Sequence, residues 1–556
     1  MRLAVYVLSA CFFVPAAGLR GQPVRARQSL PNLGPPLSER ALRARLFAVA
    51  ADSMRGRAAG SRENNIATDY VATEFAKAGV RPAGDHGSYF QSLPLSRRVL
   101  DSSVVIVLKG RPLVPYVDYL PRDGGPRVRA FDGAPVIYAG AWEDSTHLPG
   151  PEAIAGKTVV LDVKTGQLDV DVVRARFARA AAVCIANLDA MSAGQRRNTS
   201  LIEALIHLDT ATRWPELPSV FHVGATVASA ILGVALGDAR PGQEGVVLHG
   251  AVQFRTVPTP ARNVIAVLPG RDPALRGQYV VIGAHNDHLG VTRFVADADS
   301  ARAFNLALRQ QVIAAEGPAT AQLLDRLSQR IRVNMDSIRA LHPAARLDSI
   351  YNGADDDGSG TVALVEIARA FAAAAVKPRR SILFISHTAE EMGDLGSEWF
   401  MDHPTVPRDS IVAMVNLDMI GRGGPADERN GGPDYLALVG TRRRSSELGD
   451  LIERVSQQRG FGWRFDYSYD ARGHPEQVYC RSDHTSYARY GIPIAFMFTG
   501  YHADYHQLTD EAQYVDYAKL AKVSRFAFEV VQALGNLDHR LIVDQPRPDP
   551  GRRCRQ

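Results

Sequence analysis

The sequence predicts an α/β protein: a mostly parallel mixed sheet flanked by helices, with a second, β-rich α/β module inserted into it. Three observations predict this. At 556 residues the chain exceeds one ordinary core, so two or more domains are expected. From Asn263 onward, short apolar runs alternate with helical segments, as in strands joined by crossover helices. The run Tyr279 to Ala284 is almost continuously apolar, as a strand covered on both faces must be. Hydrophobic residues make up 46% and charged residues 22%, a globular balance. Net charge is only +5 and the arginines are scattered, so no nucleic-acid groove is indicated.

Residues 1–22 read as a signal peptide. A basic start (Arg2) precedes an apolar run from Leu3 to Ala17, with small residues at Ala16, Ala17 and Gly18 for cleavage. The run is too short to be a transmembrane anchor. Leu8-Ser9-Ala10-Cys11 also fits a lipoprotein acylation pattern, although Phe12-Phe13-Val14 extend the apolar stretch past the cysteine. Export to the periplasm or the extracellular space is expected.

Residues 23–114 form the N-terminal part of the main domain. Leu42, Leu46 and Val49, then Ile66, Tyr70, Val71 and Phe75, repeat at helical spacing, and Gly79 is a stop. A β-like run follows at Val104 to Leu108. Residues 115–250 have the texture of a separate module. Strands are expected at 134–140, 158–163, 182–186 and 217–223, with helices over 169–181 and 225–232.

The main domain resumes over 255–540. Strands are expected at 263–270, 279–284, 381–386, 411–417 and 493–498, with a helix over 359–374. A polar, Arg/Gln/Ala-rich helical insertion occupies 291–349. Residues 541–556, rich in Arg and Pro, read as a disordered tail. The four cysteines show no paired spacing, and Cys184 and Cys480 read as buried thiols.

The chemistry sits just after the strands, where open α/β sheets place their sites. His285-Asn286-Asp287-His288 follows the first central strand. Asp355-Asp356-Asp357 lies between Gly353 and Gly358, and adjacent carboxylates held at a turn call for a cation. Then come Glu390-Glu391, Asp418, and Tyr505-His506 with Asp510 beyond. Histidine and carboxylate ligands without cysteine suit zinc, and their number suits two metals sharing a carboxylate.

In order and context these five motifs resemble the MH-clan di-zinc aminopeptidases, a family that includes secreted bacterial aminopeptidases and glutamate carboxypeptidase. The inserted module is similar in pattern to a protease-associated domain. The resemblance implies two Zn2+ per chain. His285 and Asp418 would bind one, Glu391 and His506 the other, and Asp356 would bridge them. It implies Glu390 as general base, Tyr505 as an oxyanion donor, and Asp287 behind His285 to orient its ring. It also implies a cis peptide between Asp356 and Asp357.

Asp483 and His484 match a family segment lining the substrate cleft, and His484 reads either as cleft wall or substrate contact or as a packing residue. His288 is a further candidate ligand. The implied activity is hydrolysis of peptide or protein substrates from the amino terminus. Carboxypeptidase or dipeptidase action stays open. So do a single-zinc glutaminyl-cyclase-like acyltransferase and a non-catalytic binding protein similar to the transferrin receptor. The insertion 291–349 joins two metal-site loops, so a lid over the cleft or an oligomer contact is expected there. No G-x-S-x-G elbow supports a serine nucleophile.

Overall fold

The computed structural model describes residues 33–546, together with Cys554 and Gln556, apart from 124–126, 167, 193–194, 197–198, 200–205, 209–215 and 316–320. The expected signal peptide and Cys11 lie outside the described residues.

The helical start is capped as its sequence dictates. Ser38 Oγ accepts the N–H of Ala41 at the head of Glu39–Val49. Ser61 Oγ accepts that of Asn64 at the head of Arg62–Ala78. Gly79 ends the second helix at φ +81°, a conformation that only glycine adopts without strain.

The main sheet runs in the spatial order Ala261–Leu268, Ser381–His387, Tyr279–His285, Ile411–Leu417, Ile494–Phe498, Tyr435–Val439, Arg464–Asp466. The four strands from Ser381–His387 to Ile494–Phe498 are mutually parallel, and both outer neighbours run antiparallel to them. Strand alternation then sorts the core. Val280, Ile282 and Ala284 pack with the helices Gly360–Ala373 and Tyr517–Asn536. Val281, Leu383, Ile385 and Met414 pack with Phe400 and Tyr487 on the opposite face.

The inserted module has its own five-stranded sheet, in the order Tyr119–Arg122, Ser219–Val223, Ala182–Ala186, Thr158–Asp162, Val136–Ala141. Only its edge strand Tyr119–Arg122 is antiparallel. Apolar cores of its own cover both faces. The β-like run at 104–108 pairs only through Val107–Leu108, with Arg111–Pro112 and Leu248–His249. The module's strands therefore begin before residue 115. The strands Leu95–Leu100 and Phe254–Pro258 pair with each other where the chain enters and leaves.

The insertion is not purely helical. Gly290–Asp297 and Leu347–Tyr351 pair as an antiparallel ribbon carrying the helices Ala298–Ala314, Ala321–Ser328 and Met335–Leu341. Cations fix it to neighbouring loops: Arg309 to Glu428 (2.9 Å) and Arg346 to Glu511 (2.7 Å).

The described residues of the tail depart from the expectation of disorder. Leu541 is buried in the main core. Cys554 is disulfide-bonded to Cys480, which is therefore not a thiol. The Gln556 side chain accepts the N–H of Tyr479 (2.9 Å) and donates to the Ala471 carbonyl (2.9 Å). Cys184 is a buried free thiol, as expected. No helix of the described residues is long and apolar enough to cross a membrane.

Candidate metal centre and active site

The parallel strands end at His285, His387, Leu417 and Phe498, and the loops beyond them converge on one cleft. Five non-glycine residues around it hold left-handed backbone: Ala389 (φ +57°), Asp394 (+60°), Met419 (+54°), Ser482 (+67°) and His506 (+54°). Such conformations are costly and concentrate where side chains must be aimed.

The triple-aspartate turn explains its own sequence. Gly353 holds φ +58°, and a Cβ there would fall 2.4 Å from the His288 ring. Asp510 Oδ2 accepts the N–H groups of Asp355 and Asp356, each at 3.0 Å. Asp355 Oδ1 accepts the N–H of Gly421 at 2.7 Å. Asp357 accepts those of His285 (3.0 Å) and Gly360 (2.8 Å). The outer two aspartates are thus occupied by backbone donors, and the middle one faces the histidines. The Asp356–Asp357 peptide is cis.

Asp356 Oδ1 lies 3.2 Å from His285 Nε2, and its Oδ2 lies 3.1 Å from His506 Nε2. Asp418 Oδ1 is 3.6 Å and Glu390 Oε2 3.8 Å from His285 Nε2. Glu391 Oε2 is 3.0 Å from His506 Nε2. His288 Nδ1 meets Glu391 Oε1 at 2.5 Å and lies 3.9 Å from Asp356 Oδ2. Asp287 lies beside the Nδ1 edge of the His285 ring. Its carbonyl is 3.2 Å from His285 Nδ1 and its Oδ1 3.7 Å, while Oδ1 also accepts the Glu390 N–H at 3.2 Å.

This donor set fits divalent cations. His285, Asp357 and Asp418 form one group of convergent ligand atoms, and His288, Asp356 and Glu391 form another. His285 Nε2 and Asp418 Oδ1 are buried without a hydrogen-bond partner. Buried polar atoms in that position are normally satisfied, and a cation between them satisfies both.

The electrostatics point the same way. Burial works to lower the His506 imidazole, but Glu391 and Asp356 hold it up at about 10. Burial and Asp356 press Glu391 upward, but His506 and His288 override them and hold it at about 2. Glu390 is raised well above the ordinary carboxylate range by burial, with Asp394, Asp418 and Glu391 close by. Asp394, on the same cleft, is raised to about 7, mainly by burial.

The cleft holds about 260 Å³. Asp356, Glu390, Glu391 and Asp418 line it at the metal-binding side, with Phe496, Phe498, Tyr501 and Val478 among its other walls. Tyr505 lines it too. Its ring stacks on His506 at 4.0 Å, and its hydroxyl accepts from Arg481 Nη2 at 3.1 Å. Asp483 and His484 are buried off the cleft. The His484 ring stacks on Phe496 at 4.7 Å, and its Nε2 meets the Tyr479 carbonyl at 3.0 Å, so it is a packing residue. The cleft residue of that segment is Ser482, which the sequence reading missed. Its hydroxyl donates to Asp418 Oδ2 at 2.7 Å and accepts from Asn416 at 2.8 Å.

Arg57 was missed as well. Fully buried, it donates to the carbonyls of Asn286 (3.1 Å), Asn352 (2.6 Å) and Gly353 (2.8 Å), tying two loops of the centre together. Among the described residues, none lining the cleft comes from the insertion 291–349, whose cations brace the neighbouring loops.

An open α/β sheet with histidines and carboxylates gathered at its carboxyl edge defines a metallohydrolase architecture. Residues 330–531 match the model of Peptidase family M28, in line with the resemblance of the motifs. Leupeptin-inactivating enzyme 1 of Streptomyces exfoliatus is 29% identical over 185 residues, 32% of this chain and 36% of that protein. Leucine aminopeptidase 1 of Penicillium rubens is 30% identical over 196 residues, 33% of this chain and 48% of that protein. The chain thus spans between a third and a half of these relatives' length. The zinc aminopeptidase of Bacillus subtilis has the same fold: TM-score 0.52 at 15% identity, over 91% of this chain and 95% of that one.

Proposed function

We propose that the chain is an exported zinc-dependent exopeptidase acting as an aminopeptidase, with two Zn2+ per chain. The observation that carries this is Asp356, which turns one oxygen to each of two histidines that have separate carboxylate partners. His285 and Asp418 would hold one ion, Glu391 and His506 the other, and Asp356 would be shared. His288 would fix Glu391 from behind. Bound there, the metals would supply Lewis acidity toward the scissile carbonyl and activate water.

The chain's own residues do the rest. Glu390 takes a proton from the attacking water and returns it to the leaving amine, a role suited to its raised affinity for protons. Tyr505, aligned by Arg481, faces the cleft as a donor to the developing oxyanion. The apolar wall of Phe496, Phe498 and Tyr501 suits the first side chain of a peptide, and the carboxylates opposite suit its α-ammonium. The Cys480–Cys554 disulfide supports an oxidising compartment, in line with export.

Glu390→Gln should keep its metal and lose about 10²- to 10⁴-fold in hydrolysis of aminoacyl-anilides. Unchanged hydrolysis would sink the assignment. A panel of amino- and carboxy-blocked peptides tests amino- against carboxypeptidase action. One zinc per chain, measured by elemental analysis, would favour the acyltransferase reading instead.

A further inference from the structure

A second cavity, of about 720 Å³, lies where the inserted module meets the main domain. Arg55, Arg97, Arg255 and Arg293 line it, and Glu63 is the sole carboxylate residue among its described walls. Among the described residues, none of these four arginines lies within ion-pairing distance of a carboxylate. Arg98, also on the cavity, differs: it pairs with Asp123 at 3.3 Å.

The register of the two strands gathers this charge. Val99 is opposite Arg255 and Val257 is opposite Arg97, so Arg97 and Arg255 are diagonal neighbours on one face. Like charges so placed repel, and among the described residues neither forms an ion pair, although Asp101 lies near enough to Arg255 to feel its charge. Arg97 spends Nη2 on the Ala59 carbonyl (3.2 Å), but its Nε is buried without a partner. The Arg293 guanidinium stands over the Tyr116 ring at 4.7 Å, held out as a rigid fork.

The cavity adjoins the metal centre along the chain. Leu289 and Met392 line it, and each follows directly on a residue of the centre, His288 and Glu391. Glu391 faces one cavity and Met392 the other. Met392 therefore stands between the metal cleft and a chamber lined with arginines.

We propose that this chamber is a carboxylate-binding subsite for the distal part of the substrate, favouring peptides with a free C-terminal carboxylate or acidic side chains beyond the scissile bond. The inference rests on the peptidase reading. Guanidinium forks recognise carboxylates through paired, charge-assisted hydrogen bonds. The partnerless Nε of Arg97 gives such a group a specific donor as well as a field.

The test compares kcat/KM for a short neutral peptide, its C-terminal amide, and the amide bearing one acidic side chain. Each enzyme's rate on an aminoacyl-anilide serves as its internal reference. The wild-type enzyme should prefer the carboxylate-bearing peptides over the plain amide by about tenfold or more, with the difference in KM. The preference should shrink as salt rises. Arg255→Gln with Arg293→Gln, both exposed and so safe for folding, should bring the ratio near one. Arg97→Gln, half-buried, should do so alone if it folds. The two carboxylate-bearing peptides separate terminal from side-chain recognition. Anilide hydrolysis with no carboxylate preference, or a preference that survives the double variant, overturns the subsite. No hydrolysis of any substrate overturns the peptidase reading instead.

Discussion

Two sheets in this chain bury histidines, and one histidine from each, His222 and His285, is charged in the opposite way to the other. His222 stands within a strand of the inserted module, with Asn187 Oδ1 2.7 Å from its Nδ1. Burial, with Arg122 and Arg174 nearby, lowers its pKa to about 3. His285 ends a strand of the main sheet and is buried just as fully. Burial again works to lower it, but Glu390 and Asp418 hold it well above the ordinary value. Burial alone makes a neutral packing residue, and convergent carboxylates make a cation or a metal ligand. His484, lowered to about 3 beside the cleft, shows that location in the main domain is not enough.

The largest expected effect breaks the contrast at its centre. Asp356→Asn removes the one carboxylate that both His285 and His506 face. Metal content should fall below two per chain, and hydrolysis should drop on the order of 10³-fold or more. Elemental analysis and anilide kinetics on the same preparation check this. Full metal content would place the shared ligand elsewhere.

Next is Arg57→Met. Burial lowers the affinity of Arg57 for its proton, against the pull of Asp287, Asp510, Asp356 and Asp357 around it. Removing this cation leaves carbonyls of both metal-site loops unsatisfied. A loss of about 3–5 kcal/mol is expected on chemical unfolding of the main domain. A stability within 1 kcal/mol of wild type, on the scale of a surface substitution, contradicts its role as a tie.

Such ties mark the limit of what the sequence discloses. The main-sheet strands from Ala261–Leu268 to Ile494–Phe498 were legible because each is a largely apolar run followed at once by polar residues, whereas Tyr435–Val439 and the three-residue Arg464–Asp466 were not. Asp356 was legible through its turn and its companions. Arg57 is one basic residue among 64, and the carbonyls it ties together at the centre are more than 200 positions away. Nothing local marks it. Ser482 was not singled out beside Asp483 and His484, because only the fold decides which of three consecutive polar side chains faces the cleft. The ribbon of the insertion was hidden for a similar reason. Gly290–Asp297 and Leu347–Tyr351 lack apolar alternation because little of the ribbon is buried. The Cys480–Cys554 bond spans 74 residues, and no spacing rule announces it.

The contrast sharpens further with pH. His222 has a depressed pKa when folded. Below its unfolded value of 6.5 the unfolded chain takes up a proton that the folded module refuses. Stability is therefore full above pH 6.5 and is lost as pH falls toward 3. At pH 5 the loss is about 2 kcal/mol. Hydrogen exchange should register it within the inserted sheet, and His222→Gln should flatten it. A pH-independent inserted sheet in the wild-type protein would contradict the buried neutral state.

The smallest effect asks how far the metal centre depends on the groups behind its ligands. Ser482 holds Asp418 Oδ2, leaving Oδ1 turned to His285, and is itself held by Asn416. Ser482 also pays with a left-handed backbone for its position. Ser482→Ala keeps every proposed ligand and frees the Asp418 carboxylate to rotate. Zinc affinity, read by competition with a chelator, should weaken about tenfold, with overall stability little changed. His285 would then keep its neighbours yet lose their alignment. An unaltered affinity would mean that the carboxylates' presence, without their orientation, is what separates His285 from His222.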